Sequence, residues 1–241
     1  TVSVLYWRHN VTTMPHRAVA EALLRAHRPL FVTGAGLSAA SGLPVYRGTG
    51  GMYSDGAGGA PGVSVEAALS GEMLAANPCE TWTHLAHIGR RAALAAPNDG
   101  HRAITKIQQV LRRRGPPVDA QPIDGLVQRP LEWTSERALV VTQNVDGFHA
   151  TAGAVDVVEI HGNASRFYCS ECGRRAVPSS ESGIDGAIEA KATNGNERWH
   201  LYDGDFSDPG AIPRCGACDG VVRPDVILFG EMLPLAPLRR L

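Results

Sequence analysis

The sequence predicts an α/β fold: a doubly wound, parallel-sheet (Rossmann-like) large domain with a small zinc-ribbon module. Three observations carry this. Short apolar runs at 30–33, 138–142 and 157–160 alternate with stretches of helical periodicity, as in a parallel sheet wrapped by helices. The first run leads straight into Gly34-Ala35-Gly36. Two C-x-x-C pairs, Cys169/Cys172 and Cys215/Cys218, bracket a polar stretch.

The elements follow in order. Val19, Leu23 and Leu24 give 16–26 helical spacing. Leu30-Phe31-Val32-Thr33 reads as a buried strand, the Gly-rich 48–62 as a mobile loop, and 65–69 as a short helix. Residues 78–93 and 98–113 read as helices, with Asn98 an N-cap and Arg112-Arg113-Arg114 a solvated helix end. Four prolines and no periodicity mark 115–135 as an inserted surface loop. Further buried strands are expected at 138–142 and 157–160, and a late one at 226–229. The large domain is assigned to 16–165 and 220–241, and the cysteine module to 166–219.

A hydrophobic content of 44% over 241 residues suffices for these two units. Basic and acidic residues balance at 23 against 24, which argues against a nucleic-acid or membrane-surface partner. No apolar run approaches the ~20 residues needed to cross a bilayer. Residues 1–10 lack the apolar core of a signal peptide, so a cytoplasmic location is expected. Met14 just precedes the first helix, so Met14 is expected to be the natural start and 1–13 either upstream translation or a disordered tail, within a tail assigned to 1–15.

Gly34 to Ala39 fits G-x-G-x-x-[GA] after a strand. Glycines permit a tight turn and close backbone approach to a pyrophosphate, and a helix N-terminus supplies N–H donors. The same string also makes ordinary turns. Asp55 has the spacing of a ribose-binding carboxylate but sits in the Gly-rich loop, which argues against a dehydrogenase. Four thiolates from Cys169, Cys172, Cys215 and Cys218 would close a tetrahedral zinc shell with no open position, hence a structural metal; reduced cysteines in loops are the competing reading. Gly173 and Gly216 stand where knuckle turns need them, and 173–214 is long against the roughly 15–20 residues of a compact ribbon. Cys79 reads as an ordinary free cysteine.

The full string 34–47, Gly-Ala-Gly-Leu-Ser-Ala-Ala-Ser-Gly-Leu-Pro-Val-Tyr-Arg, resembles the sirtuin signature of GAG, Ser, SG[IL]P, an aromatic and Arg. Tyr46 replaces the usual Phe, and Val45 a commonly polar residue. Thr142-Gln143-Asn144-Val145-Asp146, His149, Ala152-Gly153 and Glu159-Ile160-His161-Gly162 resemble the family's TQN-x-D, H, AG and HG string. Arg223 to Glu231 resembles its RPxVVxFGE segment. The likeness runs from about Phe31 to Leu233. After Glu231 the family continues with elements that complete the adenosine pocket, so this chain is expected to be C-terminally truncated.

The resemblance implies an NAD-dependent protein lysine deacetylase or deacylase. NAD is then a consumed co-substrate, and the products are nicotinamide and O-acyl-ADP-ribose. The acyl-lysine carbonyl oxygen attacks C1′ of the nicotinamide ribose and nicotinamide leaves. His161 then deprotonates a ribose hydroxyl, which attacks the imidate; imidazole suits this because it titrates near neutral pH. By the same resemblance Asn144 and Asp146 join His161 in catalysis. NAD binding falls to Gly34, Ala35, Gly36, Ser38, Gln143, Asn144 and Asp146, with Tyr46 and Arg47 closing over it. Val226, Leu228, Phe229, Gly230 and Glu231 form a groove where an acylated-lysine peptide adds as a strand. His149 supports the site, and His101 packs within its helix. Family members that prefer acidic acyl groups carry a Tyr-x-x-Arg pair on the helix before PN-x-x-H. Counting back from Pro97, the matching positions are Thr83 and Ala86, so no succinyl preference is expected, although His84, His87 and Arg90 lie nearby. Two alternatives stand beside this: a mono-ADP-ribosyltransferase on the same scaffold, and a catalytically dead acyl-lysine-binding fragment.

Overall fold

Three strands, β1 (Leu30–Thr33), β2 (Leu139–Thr142) and β3 (Val157–Glu159), pair in parallel in the order β1-β2-β3. The structure, a computed structural model, describes residues 16–26, 29–45, 63–114, 138–175 and 200–234. The register sets Thr33 beside Thr142 and Thr142 beside Glu159, so the three carboxyl ends share one edge. Every residue of β2 is buried, as expected of the central strand. β1 departs from the expected buried strand: Leu30 is 48% and Val32 66% exposed. Among the described residues it has a ladder partner on one side only, and its alternate side chains point outward.

The helices are α1 (His16–Arg25), α2 (Ala35–Ser38), α3 (Val65–Ala68), α4 (Gly71–Ala76), α5 (Pro78–Leu94), α6 (Asp99–Arg114) and α7 (Phe148–Thr151). Asn77 caps α5 through its side chain, with Pro78 in the first turn where its missing N–H costs nothing. Asn98 Oδ1 accepts from Gly100 N at 2.9 Å, the N-cap bond expected of it. At the other end of α6, Arg112 pairs with Asp156 while Arg113 and Arg114 are exposed. Gln108 Nε2 donates to Ala138 O (2.7 Å) and Asp156 O (3.2 Å), tying α6 to the starts of β2 and β3. The expected loops at 48–62 and 115–135 lie outside the described residues.

Two expectations change beyond His161. Gly162 takes a left-handed turn (φ +84°) and opens β4 (Gly162–Cys169), a strand that alternation did not reveal because its residues mix polar and apolar types. The late strand is β5 (Val222–Val226), not 226–229, and it pairs antiparallel with β4 instead of extending the parallel sheet. Residues 227–229 run past the ladder: Ile227 N donates to His161 O (3.0 Å) and Phe229 N to Leu69 O (2.9 Å).

α5 organises the main core. Trp82 is fully buried, stacks with Phe167 (6.3 Å between centroids), meets Phe206 (5.0 Å) and Tyr202 (5.9 Å), and donates Nε1–H to Val222 O at 3.0 Å. One apolar cluster thereby joins α5, β4, β5 and the stretch between the cysteine pairs, down to Cys169 and Cys215 themselves. Leu139, Val141 and Val158 form a smaller cluster on the parallel sheet.

A Cβ at residue 162 would lie 2.0 Å from Asp225 O, inside the ladder, on top of the unfavourable φ. Gly162→Ala should therefore cost roughly 3 kcal/mol or more. Gly42→Ala, with a similar φ but nothing within 4 Å, should cost about 1–2 kcal/mol. Urea denaturation midpoints of the two variants test this ranking.

Candidate active site

The glycine string leaves the carboxyl end of β1. Gly34 is extended (φ −147°, ψ −170°) and opens α2, with Leu37 N bonding back to Gly34 O at 2.9 Å. From the adjacent end of β2, Asn144 Nδ2 donates to Gly34 O and Ser38 Oγ, each at 3.0 Å. Ser38 Oγ donates to Asp146 Oδ2 at 2.6 Å, and Phe148 N to Asp146 Oδ1 at 2.9 Å. Ser38, Asn144 and Asp146 are all buried, so a carboxylate sits away from water with both oxygens satisfied.

The histidines divide by environment. His161, half-buried on the turn between β3 and β4, has Nδ1 at 3.0 Å from Gln143 O. A carbonyl only accepts, so Nδ1–H donates; in the neutral ring this leaves the lone pair on Nε2, the tautomer a base requires. His149 is buried, with Nε2 at 2.9 Å from Thr33 Oγ1 and its ring 5.0 Å from that of His101. Burial, then the His101 neighbour, lowers the His149 pKa to about 4 against the opposing pull of Asp146. Burial also lowers His101, which packs edge-on to Phe148 at 5.5 Å. Both are neutral packing groups near neutral pH; His101 is the packing residue expected of it.

One cavity of about 510 Å³ takes in both strand-end loops. Ala35, Ser38, Gln143, Asn144, Asp146 and His161 line it, together with Val226, Leu228, Phe229, Gly230 and Glu231. Gly34 contributes through its carbonyl bond to Asn144, while Gly36 is exposed and does not reach the lining. Tyr46 and Arg47 lie outside the described residues. Glu231 is held from within: Arg223 donates to its two oxygens at 2.5 and 2.9 Å, and Leu228 N at 2.8 Å. Burial pulls its pKa upward, but these bonds and the Arg223 charge outweigh it and hold the carboxyl below its ordinary value. Its carboxylate thus braces the turn at 228–231.

The face of α5 differs from the expectation. Thr83 is exposed and bonds Cys79 O, and Ala86 is packed in the core; neither lines the cavity. Leu85, Ile88, Gly89 and Ala92 do, joined by Tyr202. Their spacing is a helical stripe, a signal present in the sequence but overlooked by counting from Pro97. His84 is buried beside Glu80, His87 is exposed, and Arg90 donates to Tyr202 O and Gly204 O.

The four sulfurs of Cys169, Cys172, Cys215 and Cys218 lie within 4.8 Å of one another, with Cys169–Cys218 at 3.5 Å and Cys172–Cys215 at 3.8 Å. A tetrahedron of about 2.3 Å zinc–sulfur bonds has edges of about 3.8 Å, so the donor set fits zinc with all four positions filled. Backbone N–H bonds from Ala217 and then Cys218 help bring the Cys215 thiol down to about 7, against the cost of burial. Gly173 makes the left-handed turn of the first knuckle (φ +69°) as expected; in the second that role falls to Asp219 (φ +58°), not Gly216.

Comparison with known proteins agrees with this architecture. The family model described as "Sir2 family" matches residues 34–130 and 128–241. NAD-dependent protein deacylase 2 of Pseudomonas aeruginosa is 40% identical over 223 residues, covering 91% of this chain and 67% of that protein. The protein of the same name from Pseudomonas syringae pv. tomato is 35% identical over 224 residues, covering 92% and 70%. A solved Sir2 homolog–NAD complex superposes with a TM-score of 0.62 at 23% identity, over 97% of this chain and 69% of that one. The chain thus spans about two thirds of the length of these relatives.

The lowered His149 pKa carries a sign. Below about pH 6.5 the unfolded chain takes up a proton that the folded chain refuses until about pH 4. This contribution to stability is full above 6.5 and is lost as pH falls through that window. Urea midpoints between pH 7.5 and 4.5 should decline, less steeply in His149→Asn. Thiol modification should release one zinc per chain, and a chelator should lower the melting temperature.

Proposed function

The chain belongs to the Sir2 family, and from that premise we propose that it is an NAD-dependent protein lysine deacylase acting on acylated-lysine proteins. The observation that carries this reading is His161, its Nδ1 engaged by Gln143 O, lining the same cavity as the Ser38–Asn144–Asp146 cluster. Acyl-lysine and the C1′ carbon of NAD would meet there. Asn144 and Asp146, braced by Ser38, hold the nicotinamide ribose end of NAD. Ala35, Ser38 and Gln143 belong to the same binding surface, backed by the Gly34 carbonyl; roles for Gly36, Tyr46 and Arg47 in holding NAD rest on the family likeness of the glycine string alone. His161 takes the proton from a ribose hydroxyl through Nε2 while Gln143 O holds the opposite ring nitrogen. Val226 to Glu231 receive the substrate backbone.

The described lining contains no lysine or arginine to meet an acyl carboxylate, which supports a preference for uncharged acyl groups. The assignment of 166–219 to a zinc-bearing module, with 16–165 and 220–241 as the NAD-binding domain, and a cytoplasmic location complete the reading. No helix among the described residues is long and apolar enough to cross a membrane.

Incubation with NAD and an acetyl-lysine peptide, followed by nicotinamide and peptide mass, tests it. The expected result is nicotinamide release with loss of the acetyl mass, and a fall of at least ~100-fold in His161→Ala. Transfer of ADP-ribose to protein without deacylation would replace this reading with the transferase. Undiminished deacylation by His161→Ala would remove that imidazole from the chemistry.

A further inference from the structure

Tyr202 comes from the stretch between the cysteine pairs, in a single turn at His200–Tyr202, and reaches the cavity wall beside α5. It is 1% exposed. Its ring lies so close to α5 that a Cβ on Gly89 would be 2.3 Å from its Cγ. Its hydroxyl donates to Ala164 O at 2.8 Å, and burial pushes the phenol far above its ordinary pKa, so it remains a donor. From the outer side of the helix, Arg90 Nε and Nη2 hold Tyr202 O (2.8 Å) and Gly204 O (2.6 Å). Ring, hydroxyl and backbone are therefore each anchored, and the ring sits at a set depth in the wall.

We propose that Tyr202 is a specificity-determining residue: its ring sets how long an acyl chain on lysine the cavity accepts. The wall it shares with Leu85, Ile88 and Ala92 is apolar and suits uncharged chains. In such a wall each methylene admitted or excluded changes discrimination by about 10–200-fold. A glycine at 89 is what allows the ring to approach the helix so closely. The inference rests on the deacylase reading for the identity of the occupant.

The test uses the full chain with fluorescein-labelled peptides bearing acetyl-, hexanoyl-, decanoyl- or succinyl-lysine. Affinity is read by anisotropy and turnover by nicotinamide release. Tyr202→Leu should raise the decanoyl-to-acetyl affinity ratio about tenfold. Tyr202→Phe, which keeps the ring, should retain the unaltered ratio. Arg90→Ala, which releases the backbone clamp but leaves the core side chains in place, should shift the ratio in the same direction by a smaller factor. Circular dichroism checks folding; if Tyr202→Leu does not fold, Arg90→Ala decides. An unchanged ratio in the folded variants, or an equal shift in Tyr202→Phe, overturns the proposal. Succinyl-lysine bound as tightly as hexanoyl-lysine overturns the apolar-wall argument. Chain-length-graded binding that responds to Tyr202 without nicotinamide release would sustain this inference and defeat the deacylase reading.

Discussion

The 2.6 Å hydrogen bond from Ser38 to the buried Asp146 carboxylate joins two loops 108 residues apart in the chain. The rest of the site depends on it. Phe148 N satisfies only one oxygen of this buried carboxylate and Ser38 the other, so without the glycine turn one oxygen would lose its partner at an unfavourable cost. Asn144 reinforces the joint through Gly34 O and Ser38 Oγ. Parallel pairing of β1 with β2 brings the loops to one edge; the hydrogen bonds then convert proximity into a defined polar floor.

Three histidines near this floor fall into two chemistries because their surroundings differ. His149 and His101 are buried against each other and kept neutral by desolvation. His161 stands on a turn, half in solvent, with one ring nitrogen committed to Gln143 O. Residue type alone does not separate a packing imidazole from one able to accept a proton. Hydrogen-bond partner and solvent access do.

α5 links the metal shell to the cavity. Its Trp82 packs on Phe167 and bonds the β5 backbone, while Leu85, Ile88, Gly89 and Ala92 face the cavity on the same helix. Cys169 and Cys215 are buried in the cluster that Trp82 centres. Loss of the zinc shell would therefore loosen a wall of the cavity as well as the knuckles. The four-thiolate site supports the cavity wall through this cluster without lining the cavity itself.

The sequence by itself determined the parallel β1 and β2 strands, their strand-end loops, the cysteine cluster and the candidate base, because each is written in contiguous residues. Apolar runs, a glycine string, C-x-x-C spacing and a strand-end His-Gly are local signals. Tertiary structure decided the rest. β5 became the partner of β4 because Gly162 reverses the chain at a point that alternation of polar and apolar residues does not mark. Glu231 became a brace because Arg223, eight residues away, folds back onto it. The stripe of Leu85, Ile88, Gly89 and Ala92 is a helical spacing already present in α5, but the docking of Tyr202, 113 positions beyond Gly89, against it is not. Contacts at that separation arise from how elements pack: a local pattern marks the apolar face of a helix, but not which distant ring will cover it.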